Sequence, residues 1–99
     1  MEFKNIIEEL KPEIIKSTQE IIQIKSVEED PLEGMPFGKG PYDALDYMMK
    51  LGERLGFQSK NFDGYAGHID FGQGEEVIGI LAHLDVVPEG DGWTYPPYS

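Results

Sequence analysis

Residues 76–84 read Glu-Val-Ile-Gly-Ile-Leu-Ala-His-Leu, and this run gives the clearest indication of the fold class. The run is almost continuously apolar, a pattern typical of a central β-strand that is buried on both faces. Glycines at 72 and 74 precede it, and residues 88–99 after it are rich in proline, glycine and aromatic residues. Because such residues interrupt regular structure, we predict a turn before the strand and an extended loop after it.

Three further elements are predicted upstream of this strand. Apolar residues at 3–24 recur at helical spacing, although Pro12 should kink or restart that helix. After a loop rich in glycine and proline at 26–40, a second helix is predicted at 41–55, with Pro41 in its first turn. Residues 57–62 and 65–71 alternate in polarity on either side of Asp63-Gly64, which predicts a β-hairpin.

The predicted order of helix, helix, hairpin and buried strand is typical of an α/β fold. With 99 residues the chain is one domain or part of one. It reaches Ser99 inside the predicted loop, with no closing helix or strand. We therefore expect a truncated domain.

Composition and charge exclude several classes of protein. Nineteen acidic and eight basic residues give a net charge of −11, the wrong sign for nucleic-acid binding. No apolar stretch approaches the about 20 residues of a membrane span, and the first residues lack the pattern of a signal peptide. Cysteine is absent, so a zinc site would have to use histidine and carboxylate ligands. We predict a cytoplasmic protein that binds neither nucleic acid nor membranes.

His83 and Asp85 stand two residues apart at the carboxyl end of the predicted strand. Side chains at this spacing share a face of a strand, and ligands of open α/β sheets bind at this edge. A metal-bound histidine needs an acceptor for its second ring nitrogen, which a carboxylate supplies. His83 is thus a candidate zinc ligand with Asp85 as its support. The alternative is a partly buried structural histidine, with Asp85 capping the next loop.

The other histidine and the Glu75-Glu76 pair are not predicted to join this site. His68 lies in the predicted hairpin, where a surface or cross-strand role is expected. Glu76 precedes His83 by seven residues, or about 23 Å along a strand at roughly 3.3 Å per residue. That distance would place the pair at the opposite end of the sheet.

A longer motif surrounds His83. Residues 83–93 read His-Leu-Asp-Val-Val-Pro-Glu-Gly-Asp-Gly-Trp, which resembles the first signature of the M20 family of metallopeptidases. Three other segments resemble the PepV-like dipeptidase branch of that family: Pro-Phe-Gly-Lys-Gly-Pro at 36–41, Asn-Phe-Asp-Gly-Tyr-Ala-Gly at 61–67 and Gly-Glu-Glu-Val-Ile-Gly at 74–79. The resemblance covers essentially all of the chain.

The resemblance implies that residues 1–99 are the N-terminal portion of a zinc-peptidase catalytic domain, with the general base and the other ligands downstream. His83 matches the first zinc ligand of the family, and Asp85 matches the acidic residue that orients or tunes the site. The whole enzyme would use two zinc ions to hydrolyse dipeptides, including Xaa-His dipeptides. The 99-residue chain would be inactive and bind zinc weakly or not at all. The alternatives are an M20-type amidohydrolase, such as a desuccinylase or deacetylase of amino acids, and a folded fragment without catalysis.

Overall fold

The computed structural model describes residues 2–99, which form two helices and a two-stranded sheet. Helix α1 spans Phe3–Ile22 and helix α2 spans Lys39–Arg54. Strands β1 and β2 span Gln58–Phe62 and Ala66–Asp70. The predicted α/β class, both helices and the hairpin are confirmed, with α2 starting two residues before Pro41.

Helix α1 is continuous through Pro12, so the predicted restart of the helix is wrong. A proline removes one backbone donor but leaves the hydrogen bonds on either side of it intact. No residue of α1 is buried by the described chain. Its link to α2 is polar, because the Tyr47 hydroxyl donates to Glu20 at 3.0 Å. No helix within residues 2–99 is long and apolar enough to cross a membrane.

The hairpin turns at Asp63 and Gly64, as predicted. Both residues have positive φ, at 55° and 78°, which suits a tight hairpin turn and favours glycine. The Asn61 side chain accepts a hydrogen bond from the Gly64 amide at 2.7 Å. A Cβ on Gly64 would lie 2.7 Å from the carbonyl oxygen of Gly34. The absence of a side chain therefore lets the loop before α2 pack directly on the turn.

Helix α2 packs across the hairpin and forms the small core. Ala44, Leu45 and Met49 are its buried hydrophobic residues. Leu55, which follows the last residue of α2, is exposed. Met49 is buried because it packs against β2. A Cβ on Gly67 of this strand would lie 2.7 Å from the sulfur of Met49. The core therefore depends on close approach between the helix and a strand that lacks a side chain at this point.

The predicted buried central strand at 76–84 is wrong for the described chain. These residues form no helix or strand, and Ile78 and Leu81 are 95% and 100% exposed. The nearest pairing is an isolated parallel bridge between Val27 and Val86. An apolar run indicates which residues favour burial, but a strand also needs neighbours to pair with. No second layer among residues 2–99 covers this run.

We predict that the 99-residue chain self-associates through the exposed run. Unpaired backbone groups beside apolar side chains promote pairing between chains. Replacing Ile78 with lysine should shift the chain toward the monomer, because a charge on an exposed edge opposes such pairing. Size exclusion with light scattering measures the mass, for which a monomer is 11.2 kDa.

The matched control for this prediction is Gln73→Lys, which adds the same charge at an exposed position outside the run. That variant should associate like the parent chain. A parent chain that stays monomeric across concentrations would contradict the prediction.

Candidate functional site

The structure brings the side chains of His83 and Asp85 together. The Nδ1 atom of His83 lies 3.2 Å from Oδ1 of Asp85 and 3.0 Å from the Asp85 carbonyl oxygen. The side chains are 84% and 62% exposed, respectively. Within residues 2–99, both side chains are therefore accessible to a ligand.

These contacts indicate which tautomer the His83 ring adopts. Both neighbours of Nδ1 are acceptors, so Nδ1 carries the hydrogen and donates it. In the neutral ring, Nε2 on the other side then holds the free lone pair. A histidine held in this way by a carboxylate and a carbonyl presents Nε2 in the form that binds a metal ion. The geometry therefore suits the predicted pairing of a ligand with its support.

An open cleft of about 310 Å³ adjoins this pair. His83 and Asp85 line one part of it, and the aromatic residues Phe37 and Tyr65 line another. The two rings meet edge to face, with centroids 5.7 Å apart. The turn contact described above places Tyr65, which follows Gly64, beside the loop that carries Phe37. The site thus combines one imidazole, one carboxylate and an aromatic wall.

The loop after Asp85 is tied to the segment that follows α1 through Glu89. The Glu89 carboxylate lies 3.6 Å from the Lys25 ammonium and accepts a hydrogen bond from the Tyr98 hydroxyl at 3.1 Å. A hydrogen bond from the backbone amide of Glu89 holds the pKa of its carboxyl below the usual range, with smaller effects of Tyr98 and Lys25. The Trp93 indole also donates to the Glu89 carbonyl at 2.8 Å. Glu89 therefore organises the turn of this loop.

Residues 2–99 offer one candidate zinc ligand, His83, but not a complete set. Within residues 2–99, no group of three or more His, Asp or Glu side chains could hold a metal ion together. His68 instead contacts Asp70, with Nδ1 and Oδ1 3.0 Å apart on β2. Glu75 and Glu76 are exposed. A zinc ion at His83 would thus need further ligands from outside these residues.

Sequence reasoning did not single out Ser26 or the facing rings of Phe37 and Tyr65. Ser26 meets Leu84 across 58 residues of chain, and no local pattern signals such a contact. The two aromatic residues lie in segments that carry the family resemblance. Nothing in their spacing indicated that they would face each other beside His83.

No family model matches the chain. It is 48% identical over 91 residues to the putative dipeptidase YtjP of Bacillus subtilis, covering 90% of this chain. It is 43% identical over 101 residues to the Beta-Ala-Xaa dipeptidase of Lactobacillus delbrueckii subsp. lactis, covering all of this chain, and 42% identical over 99 residues to a putative dipeptidase of Staphylococcus epidermidis. The chain spans about a fifth of the length of these relatives, between 20% and 22%. Over nearly its whole length, it is therefore similar to part of several bacterial proteins named as dipeptidases.

Proposed function

We propose that these residues belong to the catalytic domain of a zinc-dependent dipeptidase. The observation that carries the proposal is the His83 ring, whose Nδ1 is held by Asp85 so that Nε2 is available beside the aromatic cleft. The similarity to proteins named as dipeptidases supports it. The proposed assignment to the M20 family rests on the motif at 83–93, and that to its PepV-like branch on the segments at 36–41, 61–67 and 74–79. A cytoplasmic location remains a prediction.

In this proposal His83 would hold, through Nε2, one of the two zinc ions of the whole protein. Zinc supplies Lewis-acid chemistry, since it polarises a peptide carbonyl and lowers the pKa of water. Asp85 keeps the hydrogen on Nδ1 and limits rotation of the ring. Phe37 and Tyr65 provide an apolar surface for a side chain of the dipeptide. The general base and the remaining ligands come from other parts of the whole protein.

The test uses the whole protein, stripped of metal with a chelator and then titrated with zinc. We expect zinc to restore hydrolysis of dipeptides, with β-alanyl and Xaa-His dipeptides in the panel. The β-alanyl substrates are included because one similar protein is named a Beta-Ala-Xaa dipeptidase. Cleavage of N-succinyl or N-acetyl amino acids in place of dipeptides would favour the amidohydrolase alternative. Absence of any zinc-dependent hydrolysis would contradict the proposal.

We predict that the 99-residue chain alone is inactive. A catalytic zinc usually needs three protein ligands and an open position, and residues 2–99 contain no cluster of that size. The purified chain with added zinc should hydrolyse dipeptides no faster than its His83→Ala variant. Turnover above that control would show that the chain completes a site by itself or by assembly of several copies.

A further inference from the structure

We propose that Ser26 is a positioning residue for the His83-Leu84-Asp85 segment. Ser26 is the one polar residue that is buried in the described part of the chain, at 4% exposure. Its hydroxyl donates to the Leu84 carbonyl at 2.8 Å, and its own carbonyl accepts from the Val86 amide at 3.1 Å. This inference rests on the proposed function, because it gives Ser26 a part in presenting a zinc ligand.

The two hydrogen bonds hold the two peptide groups that flank Asp85. A peptide group is planar, and its N–H and C=O point in opposite directions when it is trans. The Val86 amide and the Asp85 carbonyl belong to the same peptide group. Because Ser26 holds that amide, the carbonyl is directed away from Ser26, and it accepts the hydrogen bond from Nδ1 of His83. The main chain of Ser26 therefore sets an acceptor of the His83 ring.

The Ser26 hydroxyl acts on the other peptide group, between Leu84 and Asp85. The carbonyl of this group is the one that accepts from the hydroxyl. With both flanking groups held, the backbone of Asp85 has little freedom to rotate. The Asp85 carboxylate lies 3.2 Å from His83, and the Cα from which it extends is then fixed as well. Loss of the hydroxyl would release one of these two restraints.

Ser26 is itself fixed to the body of the fold by α2. A Cβ on Gly40 would lie 1.9 Å from the Lys25 carbonyl oxygen and 3.3 Å from the Ser26 Cα. The start of α2 therefore packs directly on the backbone at Lys25 and Ser26. By contrast, residues 71–99 contain no helix or strand. The hydrogen bonds of Ser26 thus join the site segment to the packed part of the chain.

The test compares Ser26→Ala with Ser26→Thr, which keeps a hydroxyl, in the whole protein. The matched control is Thr18→Ala, because Thr18 also donates its hydroxyl to a backbone carbonyl, that of Ile14 at 2.7 Å on exposed α1. Zinc affinity is measured by competition with a chelator. Amide hydrogen exchange of peptides containing residues 84–87 is measured in the metal-free protein. If Ser26→Ala does not fold, Ser26→Cys replaces it, since a thiol fills similar space but donates weakly.

We expect Ser26→Ala to lose about 10- to 100-fold in zinc affinity, the range typical for residues that support a ligand. Exchange at 84–87 should become faster, Ser26→Thr should restore both properties, and Thr18→Ala should change neither.

Zinc affinity that is unchanged in Ser26→Ala but lost in His83→Ala would overturn the inference and leave the proposed function standing. If His83→Ala binds as much zinc as the parent protein, the proposed function is wrong. Exchange at 84–87 then decides the positioning role: faster exchange supports it, and unchanged exchange overturns it.

Discussion

Replacing His83 with alanine in the whole protein is expected to remove or loosen one zinc ion and to abolish nearly all dipeptide hydrolysis. In the proposed site, the substitution removes a metal bond and leaves a coordination position without a protein ligand. Elemental analysis gives zinc per protein, and a dipeptide assay gives the activity of the same samples.

The chain offers a close control for this substitution in His68→Ala. His68 contacts Asp70 at the same two-residue spacing and through the same pair of atoms, Nδ1 and Oδ1. We expect His68→Ala to keep both its zinc and its activity. Retention of full zinc by His83→Ala, or equal losses in the two variants, would contradict the role given to His83.

Asp85→Ala should have a smaller effect than His83→Ala, because every ligand remains. Loss of a supporting carboxylate typically costs about 10- to 100-fold in metal affinity or activity. The Asp85 carbonyl also accepts from Nδ1, at 3.0 Å, and this acceptor survives the substitution. We therefore expect a loss toward the lower end of that range, with zinc still bound and turnover slowed.

Gly40→Ala is expected to destabilise the fold strongly. The new Cβ would lie 1.9 Å from the Lys25 carbonyl oxygen, so the backbone of α2 or of Lys25 would have to move. Overpacking typically costs about 1–3 kcal/mol and occasionally more, and this contact with rigid backbone should reach the upper part of that range. The loss outweighs the about 0.5–1 kcal/mol that alanine gains over glycine within a helix. Equilibrium urea unfolding measures the change in free energy.

Gly52→Ala is the control, because Gly52 lies in the same helix and gains the same helical preference. Its Cβ would meet side-chain atoms of Ile69 at 2.9–3.1 Å, the nearest of which is the terminal methyl Cδ1. Such a side chain can shift more easily than backbone, so the loss of stability should be clearly smaller. Equal losses in the two variants would show that the contact between Gly40 and Lys25 does not control this packing.

The elements that could be predicted from the sequence are those whose signals are local. Helical spacing gave α2, and the Asp63-Gly64 pair gave the hairpin turn, because each pattern reflects the conformation of its own few residues. The contact between His83 and Asp85 also followed from a spacing of two residues along extended chain.

The failed prediction of a buried strand and the contact of Ser26, which was not predicted, both depend on distant parts of the chain. Burial of the run at 76–84 requires neighbours that residues 2–99 do not provide, and the apolar pattern carries no information about their presence. The contact of Ser26 with Leu84 depends on how α2 packs on the segment after α1. Serines are common just beyond helix ends, so the position of Ser26 in the sequence did not indicate this contact.

The most direct test of the account is a crystal structure of the whole protein with zinc, using anomalous scattering to locate the metal. We predict a zinc ion about 2.0–2.1 Å from Nε2 of His83, with Asp85 still accepting from Nδ1. A zinc site that does not include His83, or a His83 ring bound to zinc through Nδ1, would contradict this prediction.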